Sequence, residues 1–204
     1  MRSMIIMHRP ICRRTDVRGR YPDRLQRVWT SKKKLEKVQL MEREDNMVFR
    51  KAKQMESEVI MNLYRSVMGT PFCTWNESYP GESEIDGDLA SGFLYVLEQS
   101  GKLIDAISIV PENELDDFTC WKVKENVREF ARVVLEPDYQ KKGLSVNLVE
   151  GVMREFQKQC VTAVHIAVAK DNIPAQKLYR KMGFEFLAET DLYGHRFLLC
   201  EKIL

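Results

Sequence analysis

Residues 133–145 read Val-Val-Leu-Glu-Pro-Asp-Tyr-Gln-Lys-Lys-Gly-Leu-Ser, and they carry the clearest chemistry in the chain. A β-branched strand stops at Pro137, a short basic loop follows, and Gly143 opens a helix. Backbone N–H groups in a loop that enters a helix have no partner within it, so they point at whatever sits above the first turn. Lys141 and Lys142 add positive charge at the same spot. The arrangement suits phosphate, and a phosphate-bearing ligand held there would lie along the end of the preceding strand.

The flanking elements must position this loop. From about Leu144 to Gln159, Leu148, Val149, Val152, Met153 and Phe156 keep the i, i+3, i+4 spacing of a helix with one buried face. Val161 to Ala169 is a β-branched apolar run that reads as a buried strand. Asp171-Asn-Ile-Pro174 starts a second helix with capping side chains and a proline in its first turn. Ala175, Leu178, Tyr179 and Met182 form its inner stripe, and Gly183 ends it.

Upstream, residues 48–50 predict a short strand and residues 54–68 a helix with Val59, Ile60, Leu63, Tyr64 and Val67 inward. A loop rich in aromatic residues spans Gly69 to Pro80, and a short helix covers about Glu82 to Ala90. Strands at 93–98 and 103–110 flank a Ser100-Gly101 turn, and the acidic segment 111–124 reads as a surface connection. Two closing strands, around Phe186-Leu187 and from Arg196 to Lys202, surround Tyr193-Gly194-His195.

Three blocks in this order resemble the GNAT family of acetyl-CoA-dependent N-acetyltransferases. Gln140-Lys-Lys-Gly-Leu-Ser145 is similar to the family's Arg/Gln-x-x-Gly-x-Gly/Ala loop. Glu129-Phe-Ala-Arg-Val-Val-Leu-Glu-Pro137 is similar to the strand before that loop, and Asn172 through Phe184 to the Asn-x-x-Ala-x-x-Leu-Tyr-x-x-x-Gly-Phe block. The blocks cover roughly residues 129–186, with a looser likeness over about 47–204. The resemblance implies an α/β (α+β) fold: a mixed, mostly antiparallel seven-stranded sheet flanked by about four helices, with a splayed strand pair that binds acetyl-CoA.

The resemblance also distributes roles. Gln140, Lys141, Lys142, Gly143, Leu144 and Ser145 would hold the coenzyme A pyrophosphate, with backbone groups of Val133, Val134 and Leu135 along the pantetheine arm. Asn172 would bond to the pantetheine or its surroundings, and it is equally a helix cap. Tyr179 would be the general acid that protonates the departing thiolate, although its place on an inner stripe also suits a core aromatic. The base stays open between Glu129, which could instead form a strand-edge salt bridge with Arg128 or Arg132, and a water chain to solvent. Ribosomal-protein N-terminal acetylases of this family carry a glutamate where this chain has Ala167. Trp75 and Tyr79 could wall the acceptor pocket, with Glu77 attracting a cationic amine and Tyr193 and His195 opposite.

The activity expected is acetyl transfer to a primary amine of a small molecule or peptide. The alternative is a coenzyme-A-binding regulatory module of the same fold without turnover. Five widely spaced cysteines and no evident secretory signal point to a reducing cytoplasm, and three scattered histidines argue against a metal. No apolar run approaches a membrane span.

Residues 1–46 hold 13 Lys/Arg against 6 Asp/Glu, with few large apolar groups, and read as a flexible basic extension before a domain at 47–204. Four readings of it stand together: a nucleic-acid or ribosome contact, a solvated tail, sequence upstream of a misplaced start, and an organellar targeting segment that Asp16 and Asp23 argue against. A homodimer paired through exposed strands is also consistent with the family.

Overall fold

A computed structural model describes residues 46–110 and 115–204; the expected basic extension lies outside the described residues except for Asn46. The Ser100-Gly101 turn takes positive φ at both residues (53° and 83°), as a tight hairpin demands, and folds β2 (Leu94–Gln99) back on β3 (Lys102–Val110). Five further strands complete the sheet: β1 (Met47–Lys51), β4 (Val127–Leu135), β5 (Ala163–Ala169), β6 (Glu185–Leu192) and β7 (His195–Ile203). The seven strands lie in the order β1-β2-β3-β4-β5-β7-β6. Every neighbouring pair is antiparallel except β4 with β5, which is parallel.

Among the described residues four α-helices accompany the sheet: α1 (Ser57–Val67), α2 (Glu82–Ser91), α3 (Ser145–Lys158) and α4 (Ile173–Lys181). Alternation along the strands sorts two cores. Leu94 and Val96 of β2 join Ile60, Leu63, Tyr64 and Ile85 on the α1–α2 face, while Tyr95 and Leu97 join Leu148, Val149 and Val152 on the α3 face. All five apolar positions expected of α3 are buried.

Two expectations need correction. Residues 54–56 form a 3-10 turn before α1, and Val59 is half-exposed while Met61 is buried. Ile60, Leu63, Tyr64 and Val67 are buried as the periodicity suggests, and Met61 takes the inward place expected of Val59. The connection before β4 is also more than surface: Leu115 and Trp121 are buried against Leu199. The Trp121 ring stacks on His165 (4.0 Å, 9°), and its Nε1–H donates to the Leu115 carbonyl. Glu201 bonds to His165 Nε2 at 3.1 Å and accepts the backbone N–H groups of Lys122 and Val123. Small side chains such as Ala167 leave room on β5 for this indole, and composition does not report that space.

α3 approaches the sheet closely at Gly151. A Cβ there would stand 2.5 Å from carbons of the Phe49 ring, which is itself stacked on Tyr95 at 5.4 Å. Gly151→Ala should therefore lower stability by about 1–3 kcal/mol through overpacking. A reduced urea midpoint at unchanged slope is the expected reading; an unchanged midpoint would mean the ring has room to retreat.

Candidate active site

β4 and β5 stay in register for three pairs: Val127 with Ala163, Arg128 with Val164, and Glu129 with His165. Beyond that point β4 follows β3 to Leu135 and β5 follows β7 to Ala169. The two strands fork, and Phe130 to Leu135 have no register partner on β5. β4 also carries a bulge. Two residues, Arg132 and Val133, face Ile107 where the β3–β4 register shifts, and Arg132 takes φ of 48°. Across the bulge, Val133 packs on the α3 face and Val134 on the α1–α2 face.

The phosphate loop closes the far end of the fork. After a 3-10 turn at Pro137–Tyr139, Gln140 Nε2 donates to the Leu135 carbonyl at 3.2 Å. Lys142 Nζ donates to the Asp138 carbonyl at 2.7 Å and lies over the Tyr139 ring, so its charge is tied to the base of the loop. Lys141 and Gly143 both take positive φ (61° and 76°). Leu144 caps α3 without a side-chain bond, and the first-turn N–H groups of Val146 and Asn147 turn back to the Gly143 and Leu144 carbonyls at 3.3 and 2.9 Å. Ser145 begins the helix.

Tyr179 belongs to the same buried core as Phe130 of β4 and Ile166 and Val168 of β5, its ring edge-on to Phe184 at 5.2 Å. Burial pushes its phenol pKa up, and the charges of Asp105 and Cys200 add to the rise. Such a phenol stays protonated at working pH, and the same burial makes its proton harder to give up, so the role expected of it rests on position and not on acidity. Burial likewise pushes the Cys200 thiol up to about 12.

Glu129 is half-buried at the vertex of the fork, opposite His165. The Asn172 side chain is engaged at both ends: Oδ1 accepts the Ala175 N–H at 3.1 Å as a helix cap, and Nδ2 donates to the Phe72 carbonyl at 3.2 Å. That second bond ties the loop after α1 to the start of α4.

On the α1–α2 face, the bulge aims Arg132 at Asp88, with Nε and Nη2 donating to the two carboxylate oxygens at 3.0 and 2.8 Å. Arg132 Nη1 donates to the Tyr79 hydroxyl at 3.1 Å. Ser108 commits its proton to Asp88, so Tyr64 donates to Ser108 at 3.3 Å. Burial raises the Tyr64 phenol to about 12. Trp75 lies edge-on to Tyr64 at 5.2 Å. The two aromatic residues expected in the acceptor wall thus meet one buried polar network. Glu77 and Tyr193 are exposed, and His195 lies in a shallow surface hollow with Lys170, Asp171 and Arg196.

Arg132, Asp88, Ser108 and Tyr64 were not legible as a group in the sequence. A β-bulge and a helix from elsewhere in the chain bring them together, and no spacing rule joins residues 64, 88, 108 and 132. Asp105, at the end of the fork, had a visible signal: a lone acid inside the apolar run 103–110. Among the described residues no group of three or more His, Cys, Asp or Glu could hold a metal ion. No described helix is long and apolar enough to cross a membrane.

The family model described as Acetyltransferase (GNAT) family matches residues 60–184. No curated protein matches the chain. Solved structures with a similar fold include a GNAT-family acetyltransferase from Streptococcus agalactiae 2603, at 21% identity and TM-score 0.67, over 78% of this chain and 95% of that one. The ribosomal-protein-alanine N-acetyltransferase of Brucella melitensis is similar at 18% identity and TM-score 0.62, over 77% and 99%. So is the PaiA N-acetyltransferase of Thermoplasma acidophilum, solved with coenzyme A, at 18% identity and TM-score 0.61, over 78% and 99%. At these identities the likeness is one of fold.

Proposed function

The chain belongs to the GNAT family of acetyltransferases, and from that we propose that it moves the acetyl group of acetyl-CoA to a primary amine of a small molecule or peptide, within a ternary complex. One observation supports the reading: a fork that opens after three register pairs, with a buried tyrosine in the core that both its strands share and a basic, glycine-containing loop after β4. Backbone groups of Val133, Val134 and Leu135 serve the pantetheine arm as a neighbouring strand would, and the loop from Gln140 to Ser145 receives the pyrophosphate.

The chemistry follows from what each group can exchange. A primary amine is mostly protonated at neutral pH and must lose a proton before it attacks. Glu129, at the vertex, accepts that proton, directly or through water. The amine nitrogen bonds to the thioester carbon, the C–S bond breaks, the Tyr179 hydroxyl protonates the thiolate, and the proton that the nitrogen sheds on becoming an amide returns to the phenolate through water. Trp75 and Tyr79 wall the acceptor side, with Tyr79 held in place by Arg132. The protein works in the cytoplasm, in keeping with the free thiols of Cys73, Cys120, Cys160 and Cys200. A second copy would pair along one of the sheet rims, β1 or β6.

Thiol release from acetyl-CoA against a broad amine panel tests the reading. Turnover with at least one amine is the expected result. Acetyl-CoA binding without turnover across the panel would overturn it and favour the regulatory module.

A further inference from the structure

Three acids are buried among the described residues: Asp88, Asp105 and Glu201. Asp88 is neutralised by Arg132 and bonded by Ser108. Glu201 takes His165 and two backbone N–H groups. Asp105 differs from both. It is fully buried, and neither carboxyl oxygen has a hydrogen-bond partner. The Ser145 hydroxyl and the Ala106 N–H lie near enough to favour the charged form slightly, without reaching bonding geometry. Burial outweighs them and raises the carboxyl well above the usual range.

Its position is informative. Asp105 stands opposite Leu135 in the β3–β4 register, and its field reaches Tyr179. Ser145 at the start of α3 and Tyr179 both lie within its reach, and its strand partner Leu135 belongs to the stretch proposed for the pantetheine arm. The groups around it are Leu97 of β2, Leu135 of β4, Ser145 of α3 and Tyr179 of α4, with Cys200 of β7 acting on Tyr179. Glu98 and Glu136, adjacent in sequence to two of these, are paired with Arg50 and Lys102. Among the described residues no cation offsets a charge on Asp105.

We propose that Asp105 belongs to the coenzyme site and works there as a neutral acid: uncharged, it admits the pyrophosphate beside Ser145, and ionised, it repels it. The proposal rests on the coenzyme site described above. Two like charges about 8 Å apart, in a medium of effective dielectric about 20, disfavour binding by tenfold or more. Seated coenzyme thus holds the proton on Asp105. Affinity is flat while the free protein keeps that proton, and it falls about tenfold per pH unit once pH passes the carboxyl's value in the free protein.

The test is acetyl-CoA affinity from about pH 6 to about pH 9.5 for the parent and for Asp105→Asn, which keeps the shape and cannot ionise. Alkaline pH should weaken parent binding more steeply than variant binding. The comparison cancels every other pH effect, since both proteins share it. Acetyl-pantetheine, which lacks the phosphates, should show no difference in slope between the two. Parallel acetyl-CoA curves would overturn the proposal. Should the Asn variant not fold, Asp105→Ser makes the same comparison, and the infrared carbonyl band of a neutral carboxylic acid should be present in the parent at pH 7. Absence of that band would also overturn it. A parent that fails to bind acetyl-CoA at any pH is a different result: it removes the coenzyme site, and Asp105's role with it.

Discussion

Tyr179→Phe lowers turnover by about 10- to 10⁴-fold, the range of a lost general acid, while thermal stability and acetyl-CoA affinity stay near those of the parent. The substitution removes one oxygen and keeps the ring that packs edge-on against Phe184. A core aromatic that merely fills space would tolerate that change in the opposite pattern, with activity preserved. Stopped-flow thiol release gives the rate, and a melting curve shows whether the fold is intact. Unchanged turnover in a stable variant would remove the assigned role. The buried setting also fixes the pH behaviour. Because burial drives the phenol pKa up, the donor stays protonated through the whole working range, and an alkaline fall in rate should not trace to this residue.

Gly143→Asp weakens acetyl-CoA binding by about tenfold or more. Bulk is not the reason, since no atom lies within 4 Å of a Cβ built at Gly143. Its φ of 76° strains any side chain, but Asp and Asn tolerate that region better than other residues, at a cost of about 1 kcal/mol. What remains is charge at the proposed pyrophosphate site. Gly143→Asn is therefore the control: it has the same shape and backbone demand and no charge, and it should keep affinity within a few-fold. Equilibrium titration of both variants separates the two contributions. Normal affinity in the Asp variant would contradict the placement of the phosphates at this loop.

Local structure was legible where it lies in one stretch of chain. The loop from Gln140 to Ser145, the Asn172 cap, the Gly183 stop and the Ser100-Gly101 turn depend on residues within a few positions of one another, and the structure carries each of them. Contacts closed by the sheet were not. Trp121 covers His165 because two strands present small side chains beneath it, and the acidic segment around it disguises a buried anchor. Arg132 reaches Asp88 because β4 carries one extra residue against β3, a count that periodicity within β4 cannot reveal. Val59 lies at the edge of the α1 stripe, where the choice between it and Met61 depends on what the sheet presents to the helix.

The fork has a consequence for how the protein lives among other chains. Unpaired strand edges are templates for aggregation, and proteins usually blunt them with charge or shortness. The outer rims here follow that practice: β1 is five residues long, and β6 carries Glu185, Glu189 and Asp191. The edges of β4 and β5 face one another between the fourth and fifth positions of a seven-stranded sheet. No neighbouring molecule can dock its own rim there without prying the sheet apart. An edge in that position is shielded from the rims of other sheets by the strands on either side of it.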